Sequence, residues 1–328
     1  MKAVICQGNG GPEVLALGEV SPPVPGEHEV LIDVRATALN RADLLQRRGL
    51  YPPPPGASSI LGLECSGVVT ALGPNASRFE VGARVMALLG GGGYAEQVVV
   101  HERIAMPIPA RLSFEEAAAV PEAFLTASEA LLVEAELRAG QSVLVTAARS
   151  GVGSAAVQIA KLRGAFVIGS ASSEKLAALR ALGVDVALDR DRHDFVDALL
   201  AATQNRGVDA IVDFIGASSL ERHQRCLAPR GRLVVVGLLG GAAAPLDLGR
   251  ILMHRQQLRG LVMRSRSTAE KIELVQRFER ELWPALDQGR LLPQLDQSMA
   301  LSEAAAAHLR MEHNLNAGKI VLRVSAGA

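Results

Sequence analysis

The chain has 328 residues, enough for about two domains, and 49% of its residues are hydrophobic while only 3% are aromatic. Basic and acidic residues number 34 each, so the formal net charge is zero and the basic excess of a typical nucleic-acid-binding protein is missing. Three widely spaced cysteines make no disulfide framework, and no apolar stretch has the length of a membrane span or the pattern of a signal peptide. We therefore expect a cytoplasmic α/β protein with neither a nucleic-acid nor a membrane partner.

The first third of the chain has the pattern of a β-rich domain. Before about residue 120, short apolar runs alternate with glycine and proline: KAVIC, EVLIDVRATAL, SGVVTALG, ARVMALL and AEQVVV. Many short strands separated by turn residues are typical of a partly barrel-like domain.

The middle of the chain changes to a regular alternation of strands and helices. SVLVTAA, AFVIGSA, VDVALD, VDAIVDFIG and RLVVVGLLG read as strands, and the segments between the first three read as helices. This succession predicts βαβ units in a parallel, doubly wound sheet of Rossmann type. A helix is predicted from about Thr268 to Gln288, and the closing strand GKIVLRV resembles the opening ones. We expect one domain from 1–120 with 263–328 and a second from 121–262.

A glycine turn follows the first strand of the middle region. Ser150-Gly151-Val152-Gly153 lies between that strand and a helix, as in a turn that brings backbone N–H groups to a dinucleotide pyrophosphate. Two frames of the glycine fingerprint fit, one ending at Ala156 and one beginning at Ala148 and ending at Gly153. A plain turn is the alternative for the motif, and a simple helix cap is the alternative for Ser150.

The end of the next strand bears on the choice of dinucleotide. NAD-binding chains usually carry an acid there for the ribose 2′-hydroxyl, whereas this chain has Gly169 and Ser170, which we expect to leave room for a 2′-phosphate. Lys175 and Arg190 are candidates to bind a 2′-phosphate, with solvated surface charges as the alternative. The pattern therefore favours NADPH. Gly216, Gly237 and Leu238 follow two later strands at the carboxyl edge of the sheet, where such sheets bind ligands.

Several motifs together resemble a known family. ALNRADLLQRRGLYPPPPGAS, ILGLECSG, PEAFLTA and ARSGVGSAAVQ, with NAGKIVL near the end, resemble the zinc-free medium-chain dehydrogenase/reductases of the quinone oxidoreductase branch, and most of all its p53-inducible type. The resemblance covers essentially the whole chain. It implies a GroES-like, β-rich catalytic domain made by both termini and a central Rossmann domain. It also implies a homodimer, which would pair edge strands in the region from RLVVVGLL to QLRGLVMR.

The resemblance also implies a reaction and a set of site residues. Zinc-dependent relatives carry Cys, His and Cys where this chain has Asn40, Leu63 and Glu122, so no metal is expected. The expected activity is hydride transfer from NADPH to a quinone. The resemblance implies that Tyr51 lies over the nicotinamide and the acceptor. It also implies that Asn40 forms a hydrogen bond with the nicotinamide ribose. Further residues implied to contact the cofactor are Thr126, Arg264 and Lys319.

Other interpretations stay open at this stage. Tyr51 is alternatively a packing residue, Asn40 a cap, and Arg264 and Lys319 surface charges. The activity is alternatively an enone or 2-enoyl thioester reductase, or the chain is a structural protein that binds NADPH with negligible turnover. The seven histidines show no metal spacing and are expected to be structural or solvated.

Overall fold

The computed structural model describes residues 1–324; residues 325–328, the end of the range 263–328 expected for the first domain, lie outside the described residues. The chain divides into two compact units, Met1–Leu125 together with the chain from Met263 onward, and Thr126–Val262. Within residues 1–324 no helix combines the length and the apolar character needed to cross a membrane.

The strands within residues 1–324 are as follows: β1 (Lys2–Cys6), β2 (Leu15–Glu19), β3 (Glu29–Ala38), β4 (Glu64–Leu72), β5 (Arg84–Leu88), β6 (Gln97–His101), β7 (Ala105–Pro107), β8 (Ser142–Val145), β9 (Phe166–Ala171), β10 (Val186–Asp189), β11 (Val208–Asp213), β12 (Leu227–Val235), β13 (Gln257–Gly260), β14 (Leu295–Ala300) and β15 (Lys319–Arg323).

The α-helices within the same residues are as follows: α1 (Arg41–Arg47), α2 (Phe114–Ala118), α3 (Pro121–Ser128), α4 (Gly151–Leu162), α5 (Leu176–Ala181), α6 (Phe195–Ala202), α7 (Leu220–Cys226), α8 (Leu248–His254), α9 (Thr268–Glu281), α10 (Trp283–Asp287) and α11 (Ala304–Glu312). A π-helical segment, Glu129–Glu134, follows α3.

The first unit is built on a seven-stranded sheet in which β3 is the central member. The order is β14, β15, β3, β4, β5, β7, and β6 also pairs with β3, while β1 and β2 form a separate hairpin-like pair. Only the β14–β15 pairing is parallel. Buried alanines of β3 and α2, Ala36, Ala38, Ala118 and Ala119, pack with Val321 of β15, and their small side chains allow the helix to lie close to the sheet.

The second unit is a parallel sheet of the order β10, β9, β8, β11, β12, β13. Its core is aliphatic: Leu144, Ile168, Ile211 and Leu233, from four adjacent strands, are buried against Phe195 of α6. The strand order reverses between β8 and β11, so the loops that leave these strands diverge at a switch point where such sheets bind ligands.

The helix predicted from Thr268 to Gln288 is two helices. α9 ends at Glu281, and α10 begins at Trp283 with Pro284 in its first turn. The prediction of one helix is wrong because proline has no backbone N–H to donate to the i−4 carbonyl oxygen in a helix interior, whereas it is tolerated at a helix start.

Candidate active site

Asn40 precedes α1, and two charged side chains from other strands hold its amide. Its Nδ2 donates to Glu64 Oε1 at 2.8 Å, and its Oδ1 accepts from Lys319 Nζ at 2.7 Å. An ammonium can only donate and a carboxylate can only accept, so one amide orientation satisfies both. Asn40 is thus oriented by the protein itself, with 8% of its surface exposed.

Lys319 and Glu64 form a buried ion pair between β15 and β4. They are 4% and 0% exposed, and Lys319 also donates to the Leu39 carbonyl oxygen at 2.9 Å. All three ammonium protons therefore have acceptors, which is how a protein tolerates a buried charge. Lys319 is not a surface charge. Its hydrogen bonds orient Asn40 and neutralise Glu64, and its expected contact with a cofactor stays a prediction.

Glu122 lies in the first turn of α3 and joins the same cluster. Its backbone N–H donates to Glu64 Oε2 at 2.9 Å, and the residue as a whole is half-buried. Burial raises the pKa of Glu122 to about 8, with the Glu64 charge as the second cause, and Lys319 offsets only part of this. The raised pKa favours the protonated form of the Glu122 carboxyl near neutral pH.

Arg264 is buried and holds the loop that carries Tyr51. Its guanidinium donates to the Gly90 carbonyl oxygen at 2.9 Å, to the Tyr51 carbonyl oxygen at 3.1 Å and to Gln46 Oε1 at 2.7 Å. The guanidinium carbon also lies 5.3 Å from the centre of the Tyr51 ring, within range of a cation–π interaction. Arg264 is not a surface charge, and it fixes the position of the Tyr51 loop.

Tyr51 is half-buried, and its environment keeps its hydroxyl protonated. Burial raises the pKa of Tyr51, the Glu122 carboxyl adds to that rise, and the Arg264 charge opposes it. Tyr51 therefore presents a neutral hydroxyl near Glu122 at physiological pH.

A buried hydrogen-bonded chain runs from Arg47 to Asp43. Arg47 lies 3.1 Å from His308 Nδ1, His308 Nε2 lies 3.2 Å from the Tyr94 hydroxyl, and that hydroxyl lies 3.3 Å from Asp43 Oδ2. Because Arg47 can only donate, His308 Nδ1 accepts, and its Nε2–H donates to Tyr94, which then donates to Asp43. Burial, aided by the Arg47 charge, lowers the pKa of His308 to about 3, so the ring is neutral.

This chain fixes α1, the helix that connects Asn40 with the Tyr51 loop. Asp43 Oδ2 accepts the Asn40 backbone N–H at 2.8 Å, and Asp43 Oδ1 accepts that of Gly62 at 3.2 Å. The sequence reasoning treated His308 as structural or solvated and did not single out Asp43 or Tyr94. Charged residues within the motif ALNRADLLQRRG were the available signal.

In the second unit the glycine turn has the geometry of a phosphate-binding helix start. Ser150 caps α4, with its Oγ accepting the Gly153 backbone N–H at 3.0 Å. A Cβ at Gly153 would lie 2.4 Å from the Ala147 carbonyl oxygen, so glycine permits the close contact of strand and helix. That is the role of the last fingerprint glycine, and the frame that begins at Ala148 therefore fits. Gly151 and Val152 form the half-buried first turn of α4.

The end of β9 is more tightly packed than expected. Ser170 is buried, and its carbonyl oxygen accepts the Ala148 backbone N–H at 2.9 Å. A Cβ at Gly169 would lie 3.0 Å from both Leu179 and Val184. The expectation that Gly169 leaves room for a phosphate is therefore wrong, since that space is filled by apolar side chains that pack on the sheet.

The two cations expected near this strand end lie on the surface side of it. Lys175 is half-buried at the end of the turn Ser173–Lys175, and Arg190 is exposed, with its Nε 3.2 Å from Asp191. The neighbouring carboxylate of Asp189 accepts a hydrogen bond from the Ser173 hydroxyl. Two cations and three carboxylates, those of Asp189, Asp191 and Glu174, thus share this edge.

The loops after β11 and β12 meet at the carboxyl edge of the sheet. Gly216 has φ +78°, and a Cβ there would lie 2.8 Å from the Gly241 carbonyl oxygen and 3.0 Å from the Leu238 side chain. Gly237 belongs to the same contact, because its carbonyl oxygen would lie 3.4 Å from that Cβ. The buried Asp213 accepts the Gly216 backbone N–H at 3.2 Å and fixes the loop. The structure therefore brings Gly216, Gly237 and Leu238 together.

Thr126 contributes a buried hydroxyl without a hydrogen-bond partner among residues 1–324. Leaving a buried polar group unpaired costs about 1–3 kcal/mol, so such an atom fits a partner that a ligand supplies. With the capped glycine turn, this unit has features that fit a dinucleotide.

Two family models match the chain. "Alcohol dehydrogenase GroES-like domain" matches residues 26–110, and "Zinc-binding dehydrogenase" matches residues 151–280. The chain is 36% identical to "Quinone oxidoreductase" of Pseudomonas aeruginosa over 95% of this chain and 96% of that protein.

Solved structures show the same fold. The chain is similar to "NAD-dependent alcohol dehydrogenase", with 34% identity and a TM-score of 0.88 over 99% of this chain and 100% of the other. It is also similar to "CurK enoyl reductase", with 27% identity and a TM-score of 0.88 over 99% of each chain. The predicted fold class, a GroES-like unit with a Rossmann-type unit, is confirmed.

One family description implies zinc, and the residues around Glu64 do not fit it. Zinc takes thiolate, imidazole or carboxylate ligands, whereas Asn40 offers an amide already bonded on both sides and Leu63 offers none. The Lys319 ammonium bonded to Glu64 would also repel a second cation. In the part of the chain that the structure describes, no three His, Cys, Asp or Glu side chains are grouped to hold a metal ion.

Proposed function

Because the chain belongs to the medium-chain dehydrogenase/reductase family, in its quinone oxidoreductase branch, we propose that it transfers hydride from NADPH to a quinone without a metal ion. The dehydrogenases of this family bind a nicotinamide cofactor, and the homologues act on small molecules. The observation that carries the proposal is the Asn40–Lys319–Glu64 cluster, in which the amide of Asn40 stands where zinc-dependent relatives carry a ligand and is bonded on both sides by protein groups, one of them the Lys319 ammonium.

Bound NADPH would supply the hydride, and the residues of the chain would bind the cofactor and the acceptor and orient them toward each other. Ser150 to Gly153 would present the first turn of α4 to the pyrophosphate, and the Thr126 hydroxyl would find a partner on the cofactor. The loops of Gly216 and Gly237–Leu238 would bind the carboxamide. In the first unit, Asn40 would bind the nicotinamide ribose and Tyr51 the acceptor oxygen.

The preference for NADPH over NADH rests on the end of β9. From Gly169 to Ser173 there is no acid to accept a ribose 2′-hydroxyl, and Lys175 and Arg190 follow. The combined negative charge of Asp189, Asp191 and Glu174 near these cations opposes a phosphate, but Asp189 is engaged by the Ser173 hydroxyl and by the Asp191 backbone N–H at 3.0 Å, and Glu174 accepts a hydrogen bond from the Ser172 hydroxyl. We propose that the two cations outweigh it, through charge-assisted hydrogen bonds to the phosphate.

A quinone suits an enzyme without a Lewis acid. Alcohol oxidation needs a group that stabilises an alkoxide, whereas an electron-poor acceptor takes hydride readily. The name of the Pseudomonas relative supports a quinone. Similarity to "CurK enoyl reductase" supports a second candidate, reduction of an enone or 2-enoyl thioester on the same scaffold.

We further propose that the chain forms a homodimer through β13. This strand is at the end of the sheet of the second unit, and an unpaired edge favours pairing with another strand. Exposed apolar side chains lie close by in sequence: Leu252 and Met253 are each 77% exposed and Val262 48%.

We also propose that the protein is located in the cytoplasm. Its three cysteines are free, which is consistent with a reducing compartment.

The test is a comparison of NADPH and NADH oxidation with benzoquinones, naphthoquinones and enones, in protein treated with a chelator. Quinone-dependent NADPH oxidation that survives the chelator supports the proposal. Preference for enones over all quinones would favour the second candidate. Cofactor binding with negligible turnover on every acceptor would contradict both.

A further inference from the structure

Two loops of the second unit, 214–219 after β11 and 236–241 after β12, are joined to each other along their backbones. Hydrogen bonds cross between them in both directions, from the N–H of Leu239 to the carbonyl oxygen of Phe214 (3.2 Å), from Gly240 to Ile215 (2.7 Å), from Ala217 to Gly241 (3.0 Å) and from Ser218 to Gly240 (3.1 Å). We call these two segments the loop pair. Their mutual bonds fix the register of one loop against the other.

Asp213, the last residue of β11, holds both members of the loop pair. Its Oδ1 accepts the Ile215 backbone N–H at 2.9 Å, and its Oδ2 accepts that of Gly216 at 3.2 Å. Its carbonyl oxygen accepts the backbone N–H of Val236 at 2.8 Å and that of Gly237 at 3.2 Å. One residue thus accepts backbone N–H groups from both loops, and it attaches the pair to the sheet.

The side chain of Asp213 is enclosed by the protein. Asp213 and His223 of α7 are both 0% exposed, and His223 Nδ1 lies 3.4 Å from Asp213 Oδ2. On the other side, the Thr146 hydroxyl lies 3.4 Å from Asp213 Oδ1 and accepts the Phe214 backbone N–H at 2.9 Å. Because water does not reach this carboxyl group, its loop partners have no solvent substitute for it.

One backbone donor of the loop pair is left without a protein acceptor. Across 214–219 and 236–241, the N–H of Leu238 is the one that has no acceptor within residues 1–324. Leu238 is 55% exposed, and its own carbonyl oxygen accepts the Gly241 N–H at 3.1 Å. A single available N–H on a loop that is bonded on all sides is a fixed donor for a ligand oxygen, such as that of a carboxamide.

We propose that Asp213 is a positioning residue for the nicotinamide end of the cofactor, on which it acts through the loop pair and the Leu238 N–H. This role rests on the proposed function, in which these loops bind the carboxamide. A held carboxamide orients the ring for hydride transfer, so loosening the loop pair lowers both the affinity for that end and the rate. The adenosine end is assigned to other residues and does not depend on Asp213.

Asp213→Asn is the variant that tests this role, because it keeps the size of the side chain. Its amide replaces one acceptor oxygen with an NH₂ group, which faces the N–H of Ile215 or Gly216 as donor against donor. Asp209→Asn is the matched control. Asp209 lies on the same strand, near its amino end, where its Oδ2 accepts the Ser142 backbone N–H at 2.8 Å.

Thr146→Val is a second variant of the same contact, for use where Asp213→Asn does not fold. It removes the acceptor of the Phe214 N–H and keeps the shape of the side chain. We expect it to change every measurement below in the same direction as Asp213→Asn.

The first experiment needs no cofactor. Hydrogen exchange is followed by mass spectrometry in peptides that cover the loop pair. We expect exchange there to be faster by about tenfold or more in Asp213→Asn, and as in wild type in Asp209→Asn. Wild-type exchange in Asp213→Asn would overturn the proposal.

The second experiment compares the Kd of NADPH with that of 2′-phospho-ADP-ribose, which lacks the nicotinamide. In Asp213→Asn the Kd of NADPH should rise about fivefold to tenfold, the value of one hydrogen bond, and that of 2′-phospho-ADP-ribose should stay within about twofold. The kcat for quinone reduction should fall about tenfold or more. A general structural defect would weaken both ligands equally, and that result, or no change for either ligand, would overturn the positioning role.

The outcomes separate this inference from the proposed function. Preference of wild type for NADH would contradict the proposed cofactor, and the same comparison would then be made between NADH and ADP-ribose. Quinone reduction by wild type with unchanged cofactor binding in Asp213→Asn would overturn the positioning role alone. Absence of binding of either dinucleotide to wild type would overturn both.

Discussion

The ammonium of Lys319 lies 2.7 Å from the amide oxygen of Asn40 and is bonded to the buried carboxylate of Glu64. Each of these two buried charges is stable in the interior only while the other is present. The pair therefore stays in place, and its ammonium holds the Asn40 amide in one orientation. It links the last strand of the first unit to the residue that we place at the nicotinamide ribose.

Lys319→Met should destabilise the fold and loosen Asn40. It leaves the Glu64 carboxylate buried without its counter-charge, which costs about 3–5 kcal/mol. Denaturant unfolding measures this loss, and Lys2→Met, at an exposed lysine of β1, is the control. The double variant Glu64→Gln with Lys319→Met should recover part of the stability. A Lys319→Met protein as stable as the control would contradict the assignment of a buried ion pair.

The two tyrosines of the chain should respond differently to loss of their hydroxyls. Tyr94→Phe leaves Asp43 short of a donor and His308 Nε2–H without an acceptor, so we expect a loss of about 1–3 kcal/mol in unfolding free energy. Tyr51→Phe should unfold like wild type but lower kcat/KM by up to about tenfold, the value of one hydrogen bond. Equal stability of the two variants would argue against the chain from Arg47 to Asp43.

The phosphate hypothesis predicts a cofactor-specific effect. Lys175→Met and Arg190→Met should each raise the KM for NADPH about fivefold to tenfold, because each removes a charge-assisted bond of about 1–1.5 kcal/mol, and should leave the KM for NADH unchanged. Arg180→Met, at an exposed arginine of α5, is the control. A parallel rise for both cofactors would show that these cations do not contact a 2′-phosphate.

Glu122 should also make the stability depend on pH. Its pKa is raised in the folded state to about 8, so its favourable contribution is fully present below pH 4.5 and is lost as pH rises to 8. Glu122→Gln removes this dependence. The variant should therefore gain about 1 kcal/mol or more over wild type at pH 9 relative to pH 5, measured by denaturant unfolding. An identical difference at both pH values would contradict a raised pKa.

Local patterns were sufficient to predict the strands and the glycine turn. SVLVTAARSGVG places a strand, a turn and a helix start within a dozen residues, and the structure has β8, the Ser150 cap and α4 there. The first-unit cluster depends on distance in sequence instead. Glu64 and Lys319 are separated by 255 residues, and no local pattern indicates that two charged residues in different strands neutralise each other.

Local sequence patterns also could not predict which neighbours single residues pack against. Gly169 looked like space for a phosphate, but Leu179 and Val184 fill that space after the chain has turned through α5. Glu122 looked like a replaced ligand, and its raised pKa follows from its burial and from the nearby Glu64 charge, which only the tertiary structure supplies. In each case the deciding neighbour comes from another element.

The most direct test of the account is the ratio of kcat/KM for NADPH to that for NADH, measured with one naphthoquinone on protein dialysed against a chelator and assayed for metal. We predict a ratio of about ten or more, with full activity and less than stoichiometric zinc. A ratio below one, or activity that disappears with removal of stoichiometric zinc and returns when it is added, would contradict metal-independent hydride transfer from NADPH.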